Sequence, residues 1–175
     1  GGRFKMEGSG EFFMRGGSLS NVFLLLTAGS PKVTGFRYSG RNNTAALLIQ
    51  GSGGAAFSNV VIKDPRITGA NYGILRQGVG STLDGCQITG GFFQDLCGDA
   101  IEFNVCPGDR NVHVIDHIID LIDSTSSPTP QNWGIGVGFA GNVYDNTFSE
   151  SNLVKDFVIA KITGSRMRQL IHVEC

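Results

Sequence analysis

No apolar run in this chain comes near the ~20 residues that a membrane-crossing helix needs. The strongest candidate, VFLLLTAGS (22–30), is short and lacks the basic start of a signal peptide. Charge is also scarce. Charged residues make up 17% of the chain, against roughly 25% in an average domain. Fourteen Lys and Arg against fifteen Asp and Glu leave a formal net charge of −1. That balance offers no electrostatic footprint for DNA or RNA, so no nucleic-acid partner is expected. A neutral, hydroxyl-rich ligand suits it at least as well. The four cysteines, Cys86, Cys97, Cys106 and Cys175, form no C-x-x-C pair. Packed thiols are expected rather than bridges, and the spacing of zinc fingers and ribbons is missing. Neither a metal nor a cofactor is expected. Long helical periodicity is nearly absent too, which disfavours a doubly wound α/β fold. The chain opens on Gly1 rather than Met, and we expect a single segment, 1–175, of a larger β protein.

What the sequence does have is glycine, 26 of 175 residues, about twice the usual share. Short apolar runs recur between Gly, Asn, Asp and Ser, the pattern of strands punctuated by turns. ITG appears at 67–69, 88–90 and 162–164, and VTG at 33–35. Each ITG is followed after a gap by a second short strand: YGILRQG (72–78), GDAIEFNV (98–105) and LIHVEC (170–175). NWGIGVGFAG (132–141) reads as another. The expected unit is strand, turn, strand, turn. Its period is near twenty residues, as in the 21-residue step from Ile67 to Ile88, with loops such as SSPTPQ (126–131) inserted later. The fold class expected is all-β, a parallel β-helix of about five to seven coils, with inward residues stacked in apolar columns.

Two motifs are weighed and set aside. Gly136, Gly138 and Gly141 spell G-x-G-x-x-G, but turn formers follow rather than a helix, so a dinucleotide site is not expected. His113 and His117 flank Asp116 within VHVIDHIIDLID (112–123). On a helix the two imidazoles would share a face; on strands they would lie ~13 Å apart. Two bent strands fit the repeat better, and both histidines are expected at the surface.

Alternation then locates a site. A strand turns successive side chains to opposite faces. With Ile101, Phe103 and Val105 inward, Glu102 and Asn104 point out. With Ile135, Val137 and Phe139 inward, Gly136 and Gly138 point out. With Ile171 and Val173 inward, His172 and Glu174 point out. Aligning Ile101, Ile135 and Ile171 puts Glu102, Gly136 and His172 in one column and Asn104, Gly138 and Glu174 in the next. At ~4.8 Å per strand, Glu102 and His172 would stand roughly 10 Å apart across a glycine floor, a shallow trough about as wide as a sugar ring. Glu102 is the leading acid–base candidate, with His172 or Glu174 as its partner; Asp99 either joins them or caps a turn. Trp133 and Tyr144 could stack on a sugar face. Arg76 and Arg168 are candidates for the substrate-binding cation with which a lyase would acidify the sugar's α-proton, although aligning Ile74 with the other strands turns Arg76 inward, which needs a partner. The alternative, that Asp99, Glu102 and Asn104 only solvate an outer strand, stays open.

Several strings also carry a resemblance: ANYGILRQG (70–78), GDAIEFNV (98–105), NWGIGVGFAG with YDN (132–141, 144–146), VKDFVIAKITGS (154–165) and RQLIHVE (168–174). Together they resemble the β-helix proteins of the colanic acid exopolysaccharide cluster and related bacteriophage tailspike depolymerases. Residue 103 departs from that pattern, being Phe in place of Trp. The resemblance implies a right-handed, pectate-lyase-like parallel β-helix that acts on bacterial surface polysaccharide. The leading expectation is recognition and cleavage of exopolysaccharide or capsule by a hydrolase or lyase, in a parent that is a trimer at a virion tail or outside the cell. One alternative is a non-catalytic, periplasmic protein that handles exopolysaccharide for the producing cell. Another is a structural segment of a virion fibre.

Overall fold

The computed structural model describes residues 2–40, 45–78, 80–122, 134–141 and 155–174. Trp133, Tyr144 and Cys175 lie outside the described residues. Within them the chain is all-β, every strand pairing is parallel, and no helix is long and apolar enough to cross a membrane. The first sheet takes one strand from each pass of the chain, in chain order: β1 (Gly2–Met6), β3 (Val22–Leu26), β6 (Ala45–Ile49), β9 (Tyr72–Arg76), β12 (Ile101–Asn104), β14 (Ile135–Ala140) and β16 (Gln169–Glu174). The second sheet is bent. One arm holds β2 (Glu11–Phe13), β4 (Lys32–Thr34), β7 (Ala56–Lys63) and β10 (Thr82–Thr89); the other holds β5 (Arg37–Ser39), β8 (Arg66–Thr68) and β11 (Phe92–Leu96). The long strands β13 (Arg110–Ile122) and β15 (Lys155–Ser165) run through both arms.

The first pass keeps the expected period near twenty, since Gly2 pairs with Val22 and Phe12 with Val33, but later passes carry three strand segments rather than two and are longer. Ile62 pairs with Ile88 and Ile67 with Phe93, both 26 residues on; Ile74 pairs with Ile101, 27 on. The ITG triplets at 67–69 and 88–90 are not stacked equivalents. They share a local event, a strand that ends at a glycine with positive φ, at two different corners. The corners do stack. Gly35, Asp64, Gly90, Asp116 and Lys161 have φ of 67°, 53°, 69°, 66° and 55° and follow one another in register. Asn59, Gly85, Asn111 and Asp156 make a second such column, and Gly69, Asp95, Leu121 and Arg166 a third. Glycine enters the left-handed region freely, and Asn or Asp at small cost. Leu121, Lys161 and Arg166 are held there because a bend in one pass must be met by a bend in the next.

A positive φ also breaks strict alternation. The bend at Asp116 turns His117 into the interior, where it is 1% exposed. The surface position expected for it is thus corrected. Its Nδ1 accepts from the Gly91 amide at 2.8 Å and its Nε2 meets the Ile88 carbonyl at 3.0 Å. Burial pushes its pKa down, so the ring is held neutral between these two backbone groups. Among the described residues no three His, Cys, Asp or Glu side chains gather as a metal site.

The core lies between the sheets. Leu24, Leu47, Ile74, Ile101 and Val137 form one column, and Leu26, Ile49, Phe103 and Phe139 belong to its neighbour. Phe103 and Phe139 stack at 4.9 Å, and Phe139 stacks on Phe157 at 5.0 Å. Cys86, Cys97 and Cys106 are buried thiols outside any disulfide. Inward positions are exposed at both ends of the sheet: Phe4 at 51%, Ile171 at 45% and Val173 at 48%.

Arg76 occupies a place in that second column, between Ile49 and Phe103, and is fully buried. Its Nε and Nη2 donate to the two carboxylate oxygens of Asp109 at 3.1 and 2.9 Å. Its remaining bonds go to Gln77 O, Ser81 Oγ and Ser81 O, and the guanidinium packs over the Phe57 ring. The residue expected in the outer trough is instead a paired charge in the core.

Candidate functional site

The outer face of the first sheet carries the site. β12, β14 and β16 lie side by side, with Glu102 beside Gly138 beside His172, and Asn104 beside Ala140 beside Glu174. The expected columns had Gly136 and Gly138 in the middle strand. The observed register is slipped by two residues, because Ile101 pairs with Val137 rather than with Ile135. A two-residue slip keeps every side chain on its face, so the outward set survives. Asp99 takes part in holding this register: its Oδ1 accepts from the Ile135 amide at 2.8 Å, at the mouth of β14.

These strands form a trough of about 370 Å³. One bank carries Tyr72, Asp99, Glu102 and Asn104; the other carries Arg168, Gln169, His172 and Glu174; Ile135 and Ala140 lie between. Tyr72 carries no motif of its own in the sequence. Aligning Ile74 with Ile101 would have found it, since that register sets Tyr72 level with Asp99. Gly136 is in the strand but serves the backbone. A Cβ there would come within 2.6 Å of the Leu170 carbonyl oxygen.

Gly138 serves the site. The Glu102 carboxyl lies over it, so close that a Cβ at 138 would overlap Oε2. Glu102 is 9% exposed, and Oε2 is buried with no hydrogen-bond partner among the described residues. Burial, then the neighbouring carboxylates of Asp99 and Glu174, push its pKa up to about 8. Burial also raises Asp99, to about 6, against the pull of the Ile135 amide and His172. Tyr72 is raised by burial and by the same two acids, Asp99 and Glu102. Across the floor, His172 Nε2 and Glu174 Oε2 pair at 3.0 Å. At neutral pH the trough therefore sets a protonated carboxyl beside an ionised one, the arrangement that lets two acids take different parts in one site.

A second depression, of about 380 Å³, lies on the outer face of the second sheet around Asn59, Asp84, Gln87 and His113. Its acid is already engaged. Asp84 pairs with Arg110 at 2.7 Å and accepts from Asn111 at 2.6 Å, which hold its carboxyl below the usual range. It has no counterpart of the unpartnered oxygen of Glu102.

The raised acid has a measurable consequence. Below the ordinary value of 4.5, Glu102 is protonated in both folded and unfolded chains and costs nothing. As the pH rises toward about 8, the unfolded chain ionises freely while the folded carboxyl stays protonated, so stability falls across that window. Glu102→Gln removes the loss. The variant is expected to melt like the native protein near pH 4 and higher than it at pH 7, by on the order of 2 kcal/mol or ~4–8 °C. Equal melting temperatures at both pH values would mean that the acid is not held neutral.

Three comparisons bear on what carries this trough. No solved structure matches the chain. It is 42% identical over 182 residues to the colanic acid biosynthesis protein WcaM of Salmonella typhimurium, covering 99% of this chain and 38% of that protein. It is 41% identical over 174 residues to the protein of the same name in Shigella flexneri, covering 99% of this chain and 37% of that one. The chain thus spans a little over a third of the length of the curated relatives it matches. The sequence profile of the family described as colanic acid biosynthesis WcaM matches residues 1–175, and with two relatives above 40% identity along the same stretch, the chain belongs to the WcaM family.

Proposed function

We propose that the chain handles exopolysaccharide in colanic acid biosynthesis, and that the trough over Gly138 seats one sugar ring of that polymer. The observation that carries this is the buried, unpartnered Glu102 oxygen facing the His172–Glu174 pair across a glycine floor. A sugar hydroxyl or ring oxygen supplies the bond that Glu102 lacks. Family membership supports the polymer, and favours the handling alternative over the phage depolymerase of the first expectation. The comparisons lend nothing to a tailspike, a virion fibre or a trimer. The proposed architecture is a right-handed, pectate-lyase-like parallel β-helix, supported by in-order parallel pairing and by stacked bends. Such a solenoid offers a long face to a long chain of sugars. The periplasm is the setting that suits it.

The test is a titration of the protein with purified colanic acid oligosaccharides, by calorimetry or by NMR shifts. Saturable binding is expected, weakened about tenfold or more in His172→Ala with the fold intact. An unchanged affinity in that variant would place binding elsewhere, and no binding would remove the proposal.

A second reading has its own observation. Glu102 near 8 and Asp99 near 6 differ enough for one to donate a proton while the other is charged, the division of labour in glycoside hydrolysis. New reducing ends released from colanic acid, and a rate reduced by roughly a hundredfold in Glu102→Gln, would establish cleavage in place of handling. Ultraviolet absorbance at the new ends would mark a lyase instead.

A further inference from the structure

The groups around Gly138 also bear on which kind of sugar is taken. We infer that the ring seated there is uncharged, and that Glu102 meets it as a hydrogen-bond donor. This deepens the sugar-binding reading and rests on it.

The geometry is the ground. Glu102 is pressed against a glycine, its Oε2 is buried, and no hydrogen bond or ion pair reaches that oxygen among the described residues. The charged and titratable groups that face it come from every strand of the trough except β14. Tyr72 is on β9, Asp99 precedes β12, Arg168 precedes β16, and His172 and Glu174 are on β16. The nearest of them in charge terms are acids. Arg168 enters level with Gly134, where its amide donates to the Gly134 carbonyl at 3.0 Å. Its backbone there is roughly 13 Å along the strand from Gly138. His172 is already paired with Glu174. Among the described residues no cation is bonded to Glu102 Oε2, and a buried carboxyl beside other carboxylates keeps its proton.

A protonated carboxyl offers one O–H donor, and that donor needs an acceptor. Hydroxyl, ring and glycosidic oxygens of a sugar all qualify. A uronate carboxylate at the same place would bring a further negative charge between Asp99 and Glu174 in a site of low dielectric, which is unfavourable. The ring over Gly138 is therefore a neutral hexose unit, whatever charged units the polymer carries elsewhere along the face.

The experiment uses two matched pairs of probes, the methyl glycosides of galactose and galacturonate and those of glucose and glucuronate. Each is titrated into native protein and Glu102→Gln by NMR from pH 6 to 9.5. A neutral glycoside is expected to bind more tightly than its uronate. Its affinity for native protein should fall roughly tenfold between pH 7 and 9.5, as Glu102 loses the proton it donates. Glutamine keeps an N–H donor without the titration. The variant should bind the neutral glycoside within about threefold of native protein at pH 7, and its profile should stay flat to pH 9.5. Asp99, near 6, is ionised through the upper part of this range, and Tyr72 is pushed above it, so neither accounts for a fall there.

A tenfold loss in Glu102→Gln at pH 7 would make Glu102 an acceptor and overturn the inference. So would a flat native profile, or tighter binding of the uronate. Binding of neither member of either pair at any pH would overturn the sugar-binding reading as well, and that outcome is distinct from the other three.

Discussion

Asp109→Ala is expected to lower the melting temperature by about 10 °C or more, the largest stability effect predicted for a single side chain here. The aspartate is 4% exposed, and four donors end on it: Arg76 Nε and Nη2, the Leu83 amide at 2.9 Å and the Cys106 amide at 3.1 Å. Alanine leaves a guanidinium in the core with no counter-charge and orphans two backbone amides. Removing one partner of a buried ion pair typically costs about 3–5 kcal/mol, because the charge left behind stays desolvated. In a domain of this size each kcal/mol is worth ~2–4 °C. Replacing the pair together, as in Arg76→Met with Asp109→Leu, should recover only the part due to the stranded charge, since the Leu83 and Cys106 amides stay without their acceptor. A fall of less than about 2 °C in Asp109→Ala would mean that water reaches Arg76 and that the pair is not the closed contact described. The effect extends to the trough, because Tyr72 stands on the same short strand as Arg76.

Gly138→Ala is expected to weaken sugar binding by roughly ten- to a hundredfold while the protein still folds. A methyl group at 138 overlaps only the far end of the Glu102 side chain, which can rotate away toward solvent. The fold gives up little. The site loses its floor and the placement of its acid, and an extra methyl group in a fitted pocket costs about 1–3 kcal/mol of binding. Once out in solvent, Glu102 also regains an ordinary acidity, so the fall in stability between pH 4 and 8 should flatten. Gly136→Ala provides the contrast. Its Cβ would strike the Leu170 carbonyl oxygen at 2.6 Å, and backbone cannot rotate away. That variant should lose about 1–3 kcal/mol of stability, the usual cost of overpacking. If the two glycines gave the same result, both would be flattening a strand and neither would be making a site.

These two glycines illustrate what could be read beforehand. Alternation assigned both to the outer face, correctly, because facing depends only on the parity of the strand. It could not say which of them lies under Glu102. That choice is the register between β12 and β14, whose partners are 36 residues apart, as Ile101 and Val137 show. Asp99 marks the register through its bond to the Ile135 amide, yet in the sequence it read equally well as a turn cap. His117 shows the converse. Parity failed there because Asp116 adopts a positive φ, imposed by the stacked bends of adjacent passes rather than by any motif of its own. The ITG triplets misled about period for a related reason. They report how a strand ends, and a pass has more than one such ending.

The sequence by itself determined that the described residues form strands and turns rather than long helices, and it determined the outward set of Glu102, Asn104, His172 and Glu174. Each follows from preferences that act over a few residues: glycine at left-handed corners, β-branched and aromatic side chains in strands, and the two-residue period of a pleat. The tertiary structure decided the rest. It paired Arg76 with an aspartate 33 residues away, brought Tyr72 to the bank of the trough, and set Glu102 over Gly138. Above all it decided the charge of Glu102. A carboxyl keeps or loses its proton according to the water it is denied and the charges around it, and those come from strands that meet only when the passes stack.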